Sequence, residues 1–460
     1  MKASLVVGSP RQLSTIAVVA GICGAYAALL VMVSTILATN SDASGFGVLL
    51  GAVATVFLAV ALYVSAIVIV NCVDTVMAGM LPRVALLRLL GASAAALRSA
   101  VTRRTTAIAA VGAVAGVAVG TGAAWIMRIV LVDRGVLHHL GYPVVSPWLV
   151  GPIAAVVLTT FVAGRFGTST VLRVPPAAGM LGAATDAPVA VLRALRARVS
   201  LVVTGAGSAL LILSAWIGES HGTASGFLVA FFGAATVGTG LLLGARLVIP
   251  AVVGGLGRLL GDSPSSRIAR RNAVKNPLRT TRTTMGLVIG VTLVTTFATG
   301  ADALRRSVHS WTTSGADQRQ SLSALSTVTA VLVVVILFSA VIAAVGFVST
   351  MSITVIERTR EIGVLRALGF TGTQVRQMVV REAMALGCSA ITFGIALGIV
   401  FGSVGAQALV GSHNEGFVWG RPWIVLATIT VAGAALVLLA SIAPARRAIK
   451  ISPVEALRTV

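Results

Sequence analysis

The sequence predicts an all-α polytopic membrane protein with ten transmembrane helices, and three observations support this prediction. Of the 460 residues, 57 % are hydrophobic and only 10 % are charged, whereas soluble domains are about half apolar and about a quarter charged. Apolar runs of about 18 residues or more recur along the chain, which is long enough to cross a bilayer core of roughly 30 Å. The basic residues are also distributed unevenly, since they are concentrated in every second segment between the apolar runs.

Ten runs along the chain meet the length and composition of a membrane span. In chain order they cover about 15–38, 48–71, 105–127, 147–164, 199–217, 225–250, 284–301, 325–350, 384–407 and 423–443. An even number of spans places both termini on the same side of the membrane.

The charge distribution predicts which side that is. The formal net charge is +22, and 29 of the 35 Lys and Arg residues lie on the inner side if the termini are cytoplasmic. This agreement with the positive-inside rule predicts a multi-pass protein with cytoplasmic termini. The excess of Arg over Lys and the abundant Ala, Val and Gly suggest a GC-rich bacterial genome, hence a bacterial cytoplasmic membrane. Attraction to the anionic inner leaflet of the lipid bilayer accounts for the charge, so no nucleic-acid partner is predicted.

An internal repeat is visible when residues 87–120 are aligned without a gap with residues 365–398. The sequences LRLLGASAAALRSAVTRR and LRALGFTGTQVRQMVVRE open the two segments. The alignment predicts two parallel four-span units at 1–181 and 265–460, related by an axis along the membrane normal. Residues 182–264 supply two linking spans between them.

The segment ERTREIGVLRALGFTGTQVRQMVVREA, residues 357–383, is unusually charged for this chain. Gly369 is predicted to end one short helix, and Thr371 with Gln374 is predicted to form a capping box that starts the next. That second helix is predicted to place Val375, Met378 and Val379 on one side and its charged residues elsewhere: Arg376, Arg381 and Glu382. The pattern predicts two helices joined by a tight turn at the inner membrane surface.

Two interpretations of this segment are open. Its charged side chains could simply reach the lipid headgroups, as in any charged loop beside a membrane. However, acidic and basic residues alternate here, and the segment has a counterpart in the first unit. Mixed charge favours docking to a folded partner over binding to lipid.

Candidate catalytic and metal-binding residues are sparse. The five histidines fall in four predicted outer loops without the spacing of metal ligands, so polar loop residues are favoured over a metal or haem site. The P-loop motif GxxxxGK[ST] is absent from the sequence, and no catalytic residue is predicted. No Asp, Glu, Lys or His falls at the centre of a predicted span, which disfavours an ion-coupled carrier.

Glycines at four-residue spacing occur in the third and ninth predicted spans: Gly112, Gly116, Gly120, Gly394, Gly398 and Gly402. Small residues let membrane helices approach closely, and close packing is the favoured interpretation. A sharper alternative is that these faces form a moving interface between the two units.

The charged segment, together with PARRAIKISPVEALR at 444–458 and SRIARRNAVKNPLRTTRTTMGLVIG at 266–290, resembles the FtsX/MacB-type permeases of ATP-binding-cassette (ABC) systems. The resemblance is strong over 266–460 and weaker over 72–181. It implies a permease subunit that is not itself an enzyme and works with a cytoplasmic ABC ATPase, expected as a dimer. ATP and Mg²⁺ would be bound by that ATPase, with no cofactor on this chain.

The resemblance also implies that the loop between the second and third spans of each unit couples to the ATPase, at Glu357 to Glu382 and at about Asp74 to Arg104. The implied coupling residues are Glu357, Arg358, Arg360, Glu361, Arg366, Gly369, Arg376, Arg381 and Glu382, with Arg88, Gly91, Arg98 and Arg103 in the first unit. The first unit lacks the acidic residues, since LPRVA stands where the second has TREIG, which predicts an asymmetric contact.

The function implied by the resemblance is export or membrane extraction of an amphipathic substrate (peptide, lipid or drug) by mechanotransmission. The large extracytoplasmic domain common in the family is missing from this sequence. A regulatory membrane scaffold that signals to a partner protein without transport is the alternative. Turnover stimulated by a substrate, as opposed to a partner protein, distinguishes the two.

Overall fold

The structure is a computed structural model, and the arrangement below concerns its described residues only. These are residues 10–41, 47–79, 81–133, 149–172, 189–221, 224–256, 277–310, 359–414 and 416–450, with single positions at 340, 344, 347 and 348. Throughout these ranges the regular secondary structure is helical, which confirms the all-α prediction for this part of the chain.

Eleven α-helices and one short 3₁₀ turn make up the described part. The helices are α1 (Pro10–Ser41), α2 (Gly47–Gly79), α3 (Leu81–Leu89), α4 (Ala94–Asp133), α5 (Val150–Leu172), α6 (Val189–His221), α7 (Ala224–Leu256), α8 (Pro277–Ser310), α9 (Thr359–Ala367), α10 (Gly372–Val410) and α11 (Trp423–Lys450). The 3₁₀ turn covers Gly411–His413 and follows α10 directly.

Eight of these helices are long and apolar enough to cross a membrane: α1, α2, α4, α6, α7, α8, α10 and α11. A shorter apolar stretch, Val150–Phe166 in α5, coincides with the fourth predicted span. The eighth predicted span, 325–350, lies almost wholly outside the described residues. The multi-pass membrane architecture is therefore confirmed, and the count of ten spans stays a prediction.

The glycine faces of α4 and α10 pack within their own halves of the chain. In α4, a Cβ built on Gly116 would overlap the Gly21 carbonyl oxygen of α1, and Gly112 and Gly120 meet α1 in the same way. In α10, a Cβ on Gly394 would lie 2.8 Å from the Val291 side chain of α8. Close helix packing is thus confirmed, whereas a glycine interface between the two halves is not what the structure shows.

These glycine contacts also fix helix direction. Residue numbers rise together along both pairs, from Ala17 opposite Gly112 to Ala25 opposite Gly120 in α1 and α4. The pair α8 and α10 is parallel in the same way. Gly372 therefore lies at the opposite end of the bundle from Ser310. The eighth predicted span, 325–350, falls between these two residues in the sequence.

Helices α6 and α7 form a hairpin that packs mainly on the second half of the chain, against α8 and α10. The tightest approach is at Gly218 of α6, where a Cβ would lie 2.6 Å from the Ala408 Cα of α10. Contact with the first half is made chiefly by α7 against α2. There the Tyr63 hydroxyl donates to the Ala235 carbonyl over 2.7 Å.

A polar cap closes the end of the bundle where α10 finishes, and we define it as residues 411–414 and 416–422 with the side chains they contact. The buried Gln407 amide donates to Glu219 Oε1 over 2.9 Å and joins α10 to α6. The Asp302 carboxylate accepts from Arg306 Nε and from the Arg421 amide, each over 2.7 Å. The bonds from Gln407 to Glu219 and from the Arg421 amide to Asp302 cross between elements, so they hold the cap against α6 and α8.

Helices at matching positions of the proposed repeat have matching neighbours. In the first half α4 packs on α1 and α5, and in the second α10 packs on α8 and α11. The division into units at 1–181, 182–264 and 265–460 stays a prediction, which this shared packing supports.

Candidate functional site

The candidate site consists of two elbow segments: the first elbow, residues 74–104, and the second elbow, residues 357–382. In each, a nine-residue helix (α3 or α9) ends in a tight turn from which a helix of about 40 residues (α4 or α10) begins. Both long helices lead directly into the membrane-spanning part. The turn of each elbow is thus followed by one uninterrupted helix, α4 or α10, that continues into the membrane-spanning part.

The turn of the first elbow has Schellman geometry. The Gly91 amide donates to the Arg88 carbonyl over 3.1 Å, and the Ala92 amide donates to the Leu87 carbonyl over 2.9 Å. Gly91 has a φ of 90°, in the left-handed region that glycine adopts without steric cost. These bonds satisfy carbonyls that the end of α3 would otherwise leave without partners.

The turn of the second elbow repeats this geometry. The Gly369 amide donates to the Arg366 carbonyl and the Phe370 amide to the Leu365 carbonyl, both over 3.1 Å. Gly369 has a φ of 96°, so its predicted role as the end of the helix is confirmed. The side chains of Leu365 and Phe370 pack on one hydrophobic cluster, the apolar contact that accompanies this motif.

The two elbows differ in how the long helix is capped. At the start of α10, the Gln374 amide donates to the Thr371 hydroxyl over 3.3 Å and the Thr371 amide donates to Gln374 Oε1 over 3.0 Å. The predicted capping box is therefore confirmed. At the start of α4 the Ala96 amide donates to Ser93 Oγ over 3.3 Å. Alanine has no side-chain acceptor for the Ser93 amide, so only half of a capping box can form there.

We expect Thr371→Ala to weaken the start of α10, because it removes the cap acceptor at a cost of about 1 kcal/mol. Hydrogen–deuterium exchange at the Gln374 amide should then be about fivefold faster. Thr373→Ala, two residues along and outside the cap, is the control and should leave that exchange unchanged. Equal exchange in the two variants would show that the capping box does not stabilise the elbow.

Burial in the second elbow agrees with the sequence in part. Val375, Met378 and Val379 are fully buried, which confirms the predicted apolar side of the helix. Glu382 is buried as well, with 6 % of its surface exposed, although it was predicted to lie elsewhere. Its carboxylate is therefore set back from any surface that a partner subunit could contact.

The other predicted coupling residues lie at different depths. Arg376 and Arg103 are exposed, and four arginines are half-buried: Arg88, Arg98, Arg366 and Arg381. Arg360 and Glu361 belong to α9, but the positions of their side chains are not described. Glu357 and Arg358 lie outside the described residues.

Exposed leucines at the tips of both elbows were missed by the sequence reasoning. Leu90 is 76 % exposed and Leu368, its aligned counterpart, is 74 % exposed. Each directly precedes the turn glycine, and a second apolar residue one turn earlier, Leu86 or Val364, is also exposed. The identity of Leu90 and Leu368 in the aligned repeats was the available signal.

The elbows present apolar and basic side chains at their surface. Across the described part of the chain, no group of three or more His, Cys, Asp and Glu residues is placed to hold a metal ion. What the elbows offer is an apolar tip flanked by arginines on a rigid helix. Such a surface suits a folded protein partner with a complementary groove.

Comparison with known proteins gives two matches to one family within this chain. The family described as FtsX-like permease C-terminal matches residues 55–166 and again residues 333–453. Each match contains one elbow and the helix that follows it. Together they account for half of the chain.

Several named proteins are similar over shorter regions. An uncharacterized ABC transporter permease of Methanocaldococcus jannaschii is 31 % identical over 139 residues, which are 30 % of this chain and 34 % of that protein. The macrolide export ATP-binding/permease protein MacB of Photorhabdus laumondii is 32 % identical over 126 residues, 27 % of this chain and 19 % of MacB. The ABC transporter permease YtrF of Bacillus subtilis is 28 % identical over 131 residues, 26 % of this chain and 29 % of YtrF. The chain thus spans about a third or less of the length of these relatives.

Proposed function

Because the chain belongs to the FtsX-like permease family, we propose that it is the membrane permease subunit of an ABC transporter, driven by a separate cytoplasmic ATPase. The names of its relatives support this role. The MacB relatives are named as ATP-binding/permease proteins, whereas GxxxxGK[ST] is absent from this sequence. That difference supports ATP and Mg²⁺ being bound by another subunit.

The observation that carries this proposal is the same turn at the tip of both elbows. A dimeric ATPase presents two equivalent surfaces, and two equivalent elbows would match them. We assign the firmer contact to the second elbow, since it combines the apolar tip at Leu368 with acidic and basic residues. In the first elbow the charged residues from α3 onward are all arginines, and we assign it the weaker contact through Arg88, Arg98 and Arg103 around Gly91.

Movement of an elbow would be transmitted by the helix that follows it. Helix α10 has 39 residues and is therefore about 58 Å long at about 1.5 Å per residue. It joins the second elbow at one end to the polar cap at the other. We propose that closure of the ATPase dimer moves the elbows and so reshapes the far end of the bundle, which is mechanotransmission.

The proposed substrate is amphipathic, such as a peptide, lipid or drug, and is exported or extracted from the membrane. Among the described residues, the Asp, Glu and His residues of the spanning helices lie within about ten residues of a helix end, and the buried Glu382 of α10 is the farthest from one. A buried path for a small ion normally carries an ionisable group at mid-membrane depth. The lack of one in the described spans supports an amphipathic substrate over an ion.

We propose that the elbows face the cytoplasm of a bacterial cell and that both termini lie on that side. Four exposed tryptophans of the described part belong to the helix ends and loop opposite the elbows, which supports a membrane interface there without distinguishing the two sides: Trp125, Trp216, Trp419 and Trp423. Tryptophan is enriched where membrane helices meet the headgroups. Arginine dominates at the elbow end, as the positive-inside rule requires of a cytoplasmic surface.

We expect charge reversal at the second elbow to uncouple the ATPase. Glu357→Lys with Glu361→Lys places like charges opposite basic groups of the partner, and loss of close charge pairs costs about 2–5 kcal/mol at interfaces. Affinity purification of the double variant should recover at least tenfold less ATPase than wild type. Coupled ATP turnover in liposomes should fall by a similar factor.

The matched control reverses two acidic residues predicted to lie on the opposite side of the membrane, Asp133→Lys with Asp317→Lys. This variant should retain the ATPase, which separates loss of docking from a change of net charge. Wild-type recovery and turnover in the Glu357/Glu361 variant would show that the elbow is not the docking site. Turnover stimulated only by a second protein would contradict transport itself.

A further inference from the structure

A cavity of about 190 Å³ lies between α2, α7, α8 and α10. Its walls therefore come from the first half, from the linking hairpin and from the second half. Nearly all of the lining side chains are apolar, among them Val56 and Ile67 of α2, Ala234 and Ile249 of α7, and Phe401 of α10. The cavity lies within the helices that are long and apolar enough to span the membrane.

The few polar side chains in the walls have little to offer a polar ligand. The Tyr63 hydroxyl already donates to the Ala235 carbonyl over 2.7 Å, and Thr296 Oγ1 donates to the Thr292 carbonyl over 2.7 Å. The Thr292 hydroxyl is the exception, since it is buried in the wall and has no hydrogen-bond partner. A charged group placed here would lose its water and find only this one hydroxyl without a partner among the described lining residues, which is costly.

A second cavity, of about 90 Å³, extends the first toward the polar cap. The two share Phe227, Phe297 and Phe401, and the second continues to Leu304 and Leu409. Leu304 stands two residues from Asp302, which binds Arg306 and Arg421 in the cap. The two cavities thus form one apolar track that ends at the depth of the polar cap along α8.

The track is long and runs along the helices. On α7 its lining extends from Phe227 to Ile249, a rise of about 33 Å at about 1.5 Å per residue. The hydrocarbon core of a bilayer is about 30 Å thick. In a membrane the track therefore lies alongside the lipid chains and parallel to them.

We propose that this track binds one acyl chain of a membrane phospholipid, with the headgroup beside the polar cap. Apolar cavities of this kind stay dry and accept apolar ligands. The length of the track suits an extended chain, and the arginines of the polar cap at one end suit a phosphate-bearing headgroup. This inference rests on the membrane-spanning fold and needs no ATPase, so it stands or falls separately from the proposed coupling.

The test uses the full chain in lipid nanodiscs with a phosphatidylethanolamine that carries a photoactivatable diazirine halfway along one acyl chain. After irradiation, peptide mapping should find label on the track-facing residues of α2, α7, α8 and α10. Ala234→Trp places an indole in the track and should lower that labelling at least fivefold. Ala209→Trp, on the exposed side of α6, is the matched control and should label as wild type does.

Gly405→Leu provides a second blocked variant in case Ala234→Trp does not fold. A Cβ at Gly405 meets only the Phe227 ring at 3.5 Å, so the added side chain extends into the track from α10. Label confined to outward-facing residues such as Leu201 and Ile212 would overturn the proposal. So would track labelling that neither blocked variant reduces, or that an amphipathic peptide displaces while unlabelled phospholipid does not.

Discussion

Gly116→Ala is expected to destabilise the folded protein by about 1–3 kcal/mol or more, the cost typical of overpacking. The new methyl group would occupy the position of the Gly21 carbonyl oxygen of α1. Because the obstacle is backbone, no change of side-chain rotamer relieves the overlap, and α1 and α4 must separate along their length. Thermal unfolding of the purified protein in detergent measures the effect as a lower melting temperature.

Gly122→Ala on the same helix is the matched control. No atom lies within 4 Å of a Cβ built on Gly122, and alanine is favoured over glycine in a helix by about 0.5–1 kcal/mol. This variant should therefore melt at the same temperature as wild type or higher. If both variants melt alike, α1 and α4 do not pack through this glycine face.

Gly369→Ala is expected to lower coupled ATP turnover about tenfold, and Gly91→Ala is expected to lower it clearly less. Both glycines have positive φ, and a Cβ added to either would meet open space, so each alanine costs about 1–2 kcal/mol of backbone strain. A penalty of about 1.4 kcal/mol corresponds to a tenfold loss of the docked conformation. Since the backbone strain is the same in the two variants, any difference in their ATP turnover measures how differently the two elbows contact the ATPase.

The readouts are ATP turnover with the partner ATPase and exchange of the amides at positions 92 and 370. Exchange at the two turns should accelerate by similar factors, which shows that both substitutions act as intended. Equal loss of turnover in the two variants would indicate that the ATPase contacts the two elbows equally strongly. A greater loss for Gly91→Ala would contradict the assignment of the firmer contact to the second elbow.

Local features of the elbows were predictable because a few adjacent residues determine them. A glycine after the last turn of a helix fixes the end of α9, and a threonine three residues before a glutamine fixes the start of α10. The membrane helices were predictable for a different reason, since length and apolar composition alone define them. Both kinds of prediction require no knowledge of which helices are neighbours.

Features that depend on helix neighbours could not be predicted from the sequence. Apolar side chains cover all sides of these helices, so nothing distinguishes a face toward lipid from a face toward protein. The burial of Glu382, the partners of Gly116 and the apolar track all depend on that distinction. An exposed leucine such as Leu368 is likewise indistinguishable, by composition, from one that faces lipid.

The packing of the linking hairpin has a consequence for how the chain is synthesised and assembled. Helices α1 to α5 find their main partners among themselves, so they can assemble as soon as they enter the membrane. Helices α6 and α7 come next, but their other main partners, α8 and α10, are translated later. Among the described helices, α2 is the principal neighbour of the hairpin outside itself until α8 emerges. Insertion factors that shelter unpaired membrane helices would act longest on residues 189–256.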